Sequence, residues 1–391
     1  MADKTGIEWA DATWNPIVGC SIVSPGCTNC YAMQMAARIE RMTDPTHHSI
    51  GASPRDTHYR GTTQPSKAGP VWTGKLALVP DHILTQPLRW KKPRAIFVNS
   101  MGDLFHEDTP DEWIDKVFAI MALAHWHTFL VLTKRAERMQ RYLTAGRGLK
   151  WIDAMRPYAG WPEGQGGMLK TTNMALENVW LGVSTERQAE ADERIPLLLA
   201  TPAAKRFISA EPLLGAIDLR ALKPDFGAPD EEHWRYNALS GGHYYRDDER
   251  FIISGDGPPL ETLDWVIAGG ESGKDARPMH PDWARGLRDQ CAAAGVPFFF
   301  KQWGEWKEWR HDVDGPYVEE IGDEEAEAAA ATIAREVQTP GWLTPSGHFY
   351  RSPEAFEAAD GDEPGRVMER IGKRAAGRLL DGVEHSERPQ P

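Results

Sequence analysis

Three of the four cysteines lie within eleven residues, in the segment GCSIVSPGCTNCYA. Cys20, Cys27 and Cys30 have a C-x6-C-x2-C spacing in a loop that is rich in glycine, serine and proline. Clustered thiols in a reducing compartment are typical of a metal or iron–sulfur site rather than of disulfides. Such a loop can surround a cluster and donate backbone N–H groups to its sulfur atoms. Three thiolates leave one iron of a four-iron cluster open to a substrate or cosubstrate.

A structural zinc site is the main alternative for these cysteines. A Cys3His site with His47 or His48 as the fourth ligand uses the same residue types, and spacing alone favours it as much as a cluster. The position of the cysteines favours the cluster. They follow the first strand of a predicted (β/α) barrel, and the active site of such a barrel lies at the carboxyl ends of its strands. Cys291, in DQCAAAG, lies on a predicted helix and is interpreted as a small buried residue.

Short apolar, β-branched or aromatic runs alternate with segments of helical spacing along the chain. Near-continuous apolar strands between amphipathic helices predict a parallel sheet covered by helices. About seven such units predict an α/β fold with a partial or complete parallel (β/α) barrel. The predicted strands are TWNPIVG (13–19), AIFVNS (95–100), TFLVLTK (128–134), NVWLGVST (178–185), KRFISAEP (205–212), DWVIAGGES (264–272) and VPFFFKQWG (296–304).

Polar residues follow six of these predicted strands in succession. The carboxyl ends of parallel strands meet at one face, where barrels have their active sites. A single polar strand end is typical of ordinary caps and turns, but six indicate a polar cavity. The candidate residues are Asn99, Ser100, Gly102, Asp103, Lys134, Ser184, Glu211, Glu271 and Lys301.

Two of these features also have purely structural interpretations. Glu211 and Lys301 have opposite charges on neighbouring strands, so a buried ion pair is as well supported as a catalytic role. The paired glycines before Glu271, Gly269 and Gly270, allow a close backbone approach.

The domain prediction divides the 391 residues into two parts. Residues 1–310 form the barrel, with insertions at 41–75 and 222–262, and residues 311–391 form an acidic extension ending in the helix RVMERIGKRAAGRLLDG. The extension carries −10 of the net charge of −13. A nearly neutral barrel neither supports nor excludes a nucleic-acid substrate, because binding depends on local charge.

The expected compartment is the cytoplasm, with no membrane partner. No apolar run reaches the roughly 18 residues of a membrane span. The N-terminus, MADKTGIEWADATW, lacks the basic stretch and apolar core of a secretory signal.

Seven blocks, in order along the chain, resemble the phage-associated proteins of unknown function that are related to radical S-adenosylmethionine enzymes. CxxCYA is also similar to the cysteine loop of spore photoproduct lyase. The six residues between Cys20 and Cys27 depart from the shorter gap that is usual in the superfamily. The blocks are TWNPIVGCSIVSPGCTNCYA, LTKRAERM, GVSTERQ, ISAEPLLG, IAGGESG, FFFKQWGEW and IGKRAAGRLLDG.

The resemblance implies a barrel of the radical S-adenosylmethionine type, with a [4Fe–4S] cluster held by Cys20, Cys27 and Cys30. The open iron would chelate S-adenosylmethionine, and one-electron reduction would give a 5′-deoxyadenosyl radical that abstracts a substrate hydrogen. By analogy, the segment with Asn99, Ser100, Gly102 and Asp103 contacts the methionine amine, and Asp103 is the best single candidate. Lys134 or Ser184 would hold the methionine carboxylate, and Glu211, Glu271 and Lys301 would lie on the substrate side.

A radical enzyme acting on a nucleobase or nucleotide is therefore the leading hypothesis for function. Its substrate rests on analogy with the phage proteins and the DNA-repair lyase. The expected electron donor is an external protein such as flavodoxin or ferredoxin. The alternatives are a noncatalytic zinc- or cluster-binding adaptor, and a barrel hydrolase that uses Glu211 or Glu271.

Overall fold

The computed structural model describes most of the chain in several ranges. The acidic residues 310–339 lie outside it, and so do both candidate zinc-ligating histidines, His47 and His48. The described residues are 5–43, 58–161, 169, 171–172, 175–223, 234–247, 250–253, 261–309, 340–352, 355–356 and 365–390.

Seven parallel strands form the central sheet, and each pairs with the next one along the chain. The sheet curls into part of a barrel, which confirms the predicted partial (β/α) barrel. Each of the seven predicted strands overlaps one of these strands, but the first ends at Trp14 instead of Gly19, and Ile17–Val18 pair with Ala77–Leu78 in a separate small sheet. The strands are β1 (Ala12–Trp14), β2 (Ala95–Val98), β3 (Thr128–Thr133), β4 (Val179–Ser184), β5 (Lys205–Ala210), β6 (Trp265–Gly269) and β7 (Phe298–Gln302).

Helices connect these strands, and capping residues set where they begin and end. The last helix before β7 is typical: the His280 side chain accepts a hydrogen bond from Asp282 N, and Gly295 ends the helix with φ 68°. Within the described residues, no helix is long and apolar enough to cross a membrane. The longer helices are α1 (Tyr31–Thr43), α2 (Asp111–Leu123), α3 (Ala136–Thr144), α4 (Gly148–Ala159), α5 (Gln188–Leu199) and α6 (Pro281–Ala294).

The two faces of the sheet bury different residues. The helices pack on the outer face and form the large aliphatic core. The inner face carries a separate cluster that includes Trp9, Trp180, Phe207, Trp265 and Phe299. Because side chains alternate between the faces of a strand, the residues that continue the inner rows at the carboxyl ends point into the barrel mouth. Among them are Asn99, Lys134, Ser184, Glu211 and Lys301.

The two predicted insertions contribute no described strand to the central sheet. In the first, Thr63–Ser66 and Gly69–Trp72 pair as an antiparallel hairpin that packs on α1. In the second, Trp234–Tyr236, His243–Asp247 and Arg250–Ile253 form a small antiparallel sheet.

The predicted C-terminal helix is wrong. Four antiparallel strands form a second sheet there: β8 (Trp306–Glu308), β9 (Pro340–Leu343), β10 (Phe349–Tyr350) and β11 (Arg366–Arg370). The helical pattern stops because Gly372 and Gly377 have φ of 85° and 72°, which leaves only the turn Lys373–Ala376 helical. Pairing of β11 with β8 and β9 overrides the helix propensity of its residues.

Candidate active site

All twelve predicted site residues line a single cavity at the carboxyl edge of the central sheet. The fourth cysteine, Cys291, is buried in α6 within the outer core and does not line it. The twelve residues are Cys20, Cys27, Cys30, Asn99, Ser100, Gly102, Asp103, Lys134, Ser184, Glu211, Glu271 and Lys301.

The three cysteine thiols are shielded from water. Cys27 is 8% exposed and ends the short 3-10 turn Pro25–Cys27, while Cys20 and Cys30 are half-buried. Burial raises the pKa of the Cys20 thiol to about 12, and it also raises the pKa of Cys30. Binding of a metal at Cys20 and Cys30 therefore requires each thiol to lose its proton.

The donor set consists of three thiols on the wall of one cavity. Thiolates are the ligands of iron–sulfur clusters and also of structural zinc sites. Among the described residues, no three histidine, cysteine or acidic side chains converge on a point that could hold one metal ion. The histidines predicted as a fourth zinc ligand, His47 and His48, lie outside the described residues.

A buried carboxylate, Glu186, fixes the cysteine loop against the barrel. Its side chain is fully buried, accepts a hydrogen bond from Ser24 Oγ at 2.7 Å, and pairs with Lys134 and with Arg194. Although burial alone would raise it, these two cations hold the pKa of Glu186 below its ordinary value. Gly26 must be glycine, because a Cβ there would lie 2.3 Å from Glu186 Oε1.

Asp103 lines the cavity, but its carboxylate is already engaged. Oδ1 accepts hydrogen bonds from Phe105 N at 3.0 Å and Thr133 Oγ1 at 2.7 Å. Oδ2 accepts from Lys134 N at 3.1 Å and Arg135 Nη1 at 3.0 Å. Four donors use the four lone-pair positions of a carboxylate. The predicted role of Asp103 in binding the methionine amine stays a prediction, and in the structure Asp103 positions Arg135.

Arg135 links the end of β3 to the cysteine loop. Its guanidinium lies 3.6 Å from Cys20 Sγ and donates to Ser21 Oγ at 2.8 Å. Glu107 accepts from Nε at 2.8 Å, so the guanidinium is held from two sides. His106 contacts the same Ser21 hydroxyl at 2.8 Å. This network holds Cys20 and gives its sulfur a charged hydrogen-bond donor.

Two buried polar atoms on the cavity wall have no hydrogen-bond partner in the described part of the chain. Asn99 is 3% exposed and left-handed, with φ 61°; its Oδ1 accepts from Ile17 N at 3.3 Å, while Nδ2 has no partner. Gln302 is 5% exposed, and its Oε1 has no partner. An unpaired buried polar atom is costly, so both atoms are suited to a ligand that enters the cavity.

Glu211 and Lys301 form the ion pair that their sequence positions suggested, with Nζ 3.0 Å from Oε1. Glu211 Oε2 also accepts from Trp9 Nε1 at 3.3 Å and Ser209 Oγ at 3.0 Å. Burial alone would lower the pKa of Lys301, but the adjacent carboxylate raises it above its ordinary value. The cavity therefore keeps a fixed cation, the Lys301 ammonium, on the part of its wall formed by β7.

Glu271 is likewise neutralised by its neighbours. Arg277 binds it with two side-chain nitrogens at 2.6 and 2.8 Å, and Asn29 Nδ2 donates to Oε2 at 3.0 Å. Gly270 makes a close backbone approach, since a Cβ there would lie 1.9 Å from Trp303 O. Both carboxylates named in the hydrolase alternative, Glu211 and Glu271, are thus ion-paired in the structure.

Several functional residues were missed at the level of sequence. Glu186 could have been found, because it continues the inward row of Ser184 two residues beyond β4. Arg135 directly follows Lys134, but nothing local indicates that it reaches Cys20. Trp9 precedes the first strand, so no strand periodicity points to it.

Comparisons with known proteins give one match. No curated protein and no solved structure matches the chain. The model of the family described as "Protein of unknown function (DUF5131)" matches residues 4–389. That match spans almost the whole chain, so the protein belongs to the DUF5131 family.

Proposed function

We propose that this protein is a radical S-adenosylmethionine enzyme that modifies a nucleobase or nucleotide. The observation that carries the proposal is the meeting of three thiols and nine strand-end residues, eight of them polar, in one cavity of a partial parallel barrel. Cys20, Cys27 and Cys30 would hold a [4Fe–4S] cluster. When bound, the cluster supplies one electron that cleaves S-adenosylmethionine and starts radical chemistry.

The residues around the cysteines orient the metal site. Arg135, held by Asp103 and Glu107, directs positive charge at Cys20 Sγ. Hydrogen bonds and charge next to a ligating sulfur change the reduction potential of a cluster. Glu186 holds the loop through Ser24. These contacts support the proposal, because ligating residues of a cluster site are oriented by such neighbours.

Asn99 is the strongest candidate for binding the amino-acid part of S-adenosylmethionine. Its unpartnered Nδ2 can donate to the methionine carboxylate, and Ser100 and Gly102 lie in the same cavity wall. Lys134 also faces the cavity, but its ammonium is paired with Glu186.

The rest of the cavity suits a flat, polar substrate. Aromatic rings of Trp9, Tyr31, Trp72 and Phe97 form part of its lining. Gln302 Oε1 offers an acceptor, and such groups can read the edge of a base while aromatic walls contact its faces. A buried wall also keeps water away from a reactive intermediate.

Anaerobic purification with metal analysis tests the proposal against a zinc-binding adaptor. We expect brown protein with about four iron and four sulfide per chain, and a change in the electron paramagnetic resonance spectrum of the reduced cluster on adding S-adenosylmethionine. Colourless protein with one zinc per chain would support the adaptor instead. The electron donor in the cell would be a flavodoxin or ferredoxin.

A further inference from the structure

The surface beside the cavity mouth is basic, in a chain whose net charge is −13. Described residues 12–43 and 58–79 contribute α1, the hairpin Thr63–Ser66/Gly69–Trp72 and the cysteine loop. They contain five arginine and lysine residues and one carboxylate, Glu40. Glu40 accepts from Gly61 N at 2.7 Å, so it is occupied by the backbone of the same region. The cations are Arg38, Arg41, Arg60, Lys67 and Lys75.

These five cations are exposed, and none forms an ion pair with a residue that the structure describes. Two arginines at the cavity behave differently. Arg135, which lines the cavity, and Arg277, which binds the lining residue Glu271, each form an ion pair with a carboxylate. The five cations of this surface therefore remain available to an anionic partner.

One exposed stripe of α1 joins this charge to the cavity. Tyr31 is 49% exposed, yet it also lines the cavity, and its hydroxyl donates to Ser100 O at 3.3 Å. Met35, Arg38, Arg41 and Met42 follow on the same helix face, all exposed. At 1.5 Å per residue, Arg38 and Arg41 stand roughly 10 and 15 Å along the helix from Tyr31. The aromatic ring of Tyr31 at the cavity mouth and the cations Arg38 and Arg41 therefore lie along one exposed stripe of α1.

We propose that the substrate is a base within a nucleic-acid strand, and that the α1 stripe with the adjoining basic hairpin is the surface on which the strand binds. This inference rests on the proposed function and specifies that the substrate base belongs to a nucleic-acid polymer. Cations that contact phosphates, together with an aromatic ring on which a base stacks, are the two elements of single-strand recognition. A base must leave its stack to reach a buried reaction centre. A free nucleotide would have no use for cations 15 Å from the mouth.

The test measures strand binding separately from radical chemistry. Fluorescence anisotropy follows a labelled single-stranded DNA of about 20 nucleotides, and a matched RNA, between about 50 and 200 mM salt. The double variant Arg38→Gln/Arg41→Gln should bind about tenfold more weakly, and its salt slope should be shallower by about 1.4, because two phosphate contacts are lost. Tyr31→Ala should also bind about tenfold more weakly, whereas Tyr31→Phe should bind normally.

The control removes the same charge from another basic run. Lys91 and Lys92 are exposed and precede β2, so they lie at the amino ends of the strands, away from the cavity. Lys91→Gln/Lys92→Gln should keep wild-type binding. No strand binding by the wild type at 50 mM salt, or equal losses in the two double variants, would overturn the proposal. Cleavage of S-adenosylmethionine by the wild type is measured in parallel, in the absence of a strand. If the wild type binds the strand but does not cleave S-adenosylmethionine, the proposed function is refuted while the binding surface is retained.

Discussion

The Cys27 thiol is the most buried of the three that line the cavity. Replacing it with alanine removes one cluster ligand, so we expect Cys27→Ala to lose nearly all bound iron and sulfide. Cys291→Ala is the matched control, because Cys291 is also buried but lies in the outer core. It should keep its iron and lose only about 1 kcal/mol of unfolding free energy. Metal analysis and urea unfolding measure both; equal iron in the two variants would place the cluster elsewhere.

The side-chain amide of Asn99 has one atom with a hydrogen-bond partner, Oδ1, and one without a partner among the described residues, Nδ2. Asn99→Asp keeps an oxygen for Ile17 N and tolerates the left-handed backbone, but it replaces the unpartnered Nδ2 donor. If that donor binds the methionine carboxylate, affinity for S-adenosylmethionine should fall at least about tenfold. Isothermal titration under anaerobic conditions gives the affinity, and iron content should not change. Wild-type affinity in this variant would remove Asn99 from the cosubstrate site.

The roles of individual side chains were harder to predict than their location. That Asp103 faces the cavity follows from its place after β2, but its partners Thr133 and Arg135 come from the next strand's end. Whether a carboxylate is free or saturated depends on rotamers contributed by distant segments. Sequence position therefore predicts the wall of a site better than it predicts which atoms in that wall are available.

At the scale of elements, the C-terminal hairpin is tied to α6 by an ion-pair network. Asp381 lies between the strands Leu379–Leu380 and Val383–Glu384 and binds both Arg285 and Arg288. Burial alone would raise its pKa, but the two guanidinium groups lower it from 3.8 to about 2. This contribution to stability is therefore complete above pH 3.8 and lost as the pH falls through about 2.

Asp381→Asn keeps the shape and removes the charge. We expect it to lower the unfolding free energy by about 1 kcal/mol at neutral pH, with a smaller difference from wild type at about pH 3. Asp289→Asn, which removes an exposed partner of Arg288, should cost less than half as much. Urea unfolding at the two pH values measures this. A difference that grows on acidification would contradict the assigned direction of the pKa shift.

The strands of the central sheet were predictable because each is a short apolar run with polar residues at its end. The strand Arg366–Arg370 was not, because its residues suit a helix and its partner Pro340–Leu343 is more than twenty residues away. Likewise, nothing local in Tyr31–Thr43 separates its exposed stripe from an ordinary amphipathic helix. The local sequence pattern therefore predicts the secondary structure of the buried central strands. Outside the central sheet, pairing with distant segments determines the secondary structure.

For the whole molecule, the C-terminal segment packs against the central sheet. Trp265 Nε1 donates to Glu387 O at 2.9 Å, and Phe300 N donates to His385 O at 3.0 Å. The chain end therefore packs beside β7, and β8 belongs to the same sheet as β11. β8 lies before the predicted boundary at residue 310 and its partner β11 lies after it. The division into two parts stays a prediction, and the acidic charge concentrates after the boundary.

The most direct test of the central claim is formation of 5′-deoxyadenosine. The anaerobically purified protein is incubated with S-adenosylmethionine and a strong reductant, and products are separated by liquid chromatography. We predict 5′-deoxyadenosine and methionine in equal amounts from the wild type, none from Cys27→Ala, and wild-type amounts from Cys291→Ala. A wild type that binds a four-iron cluster and still releases no 5′-deoxyadenosine would contradict the account.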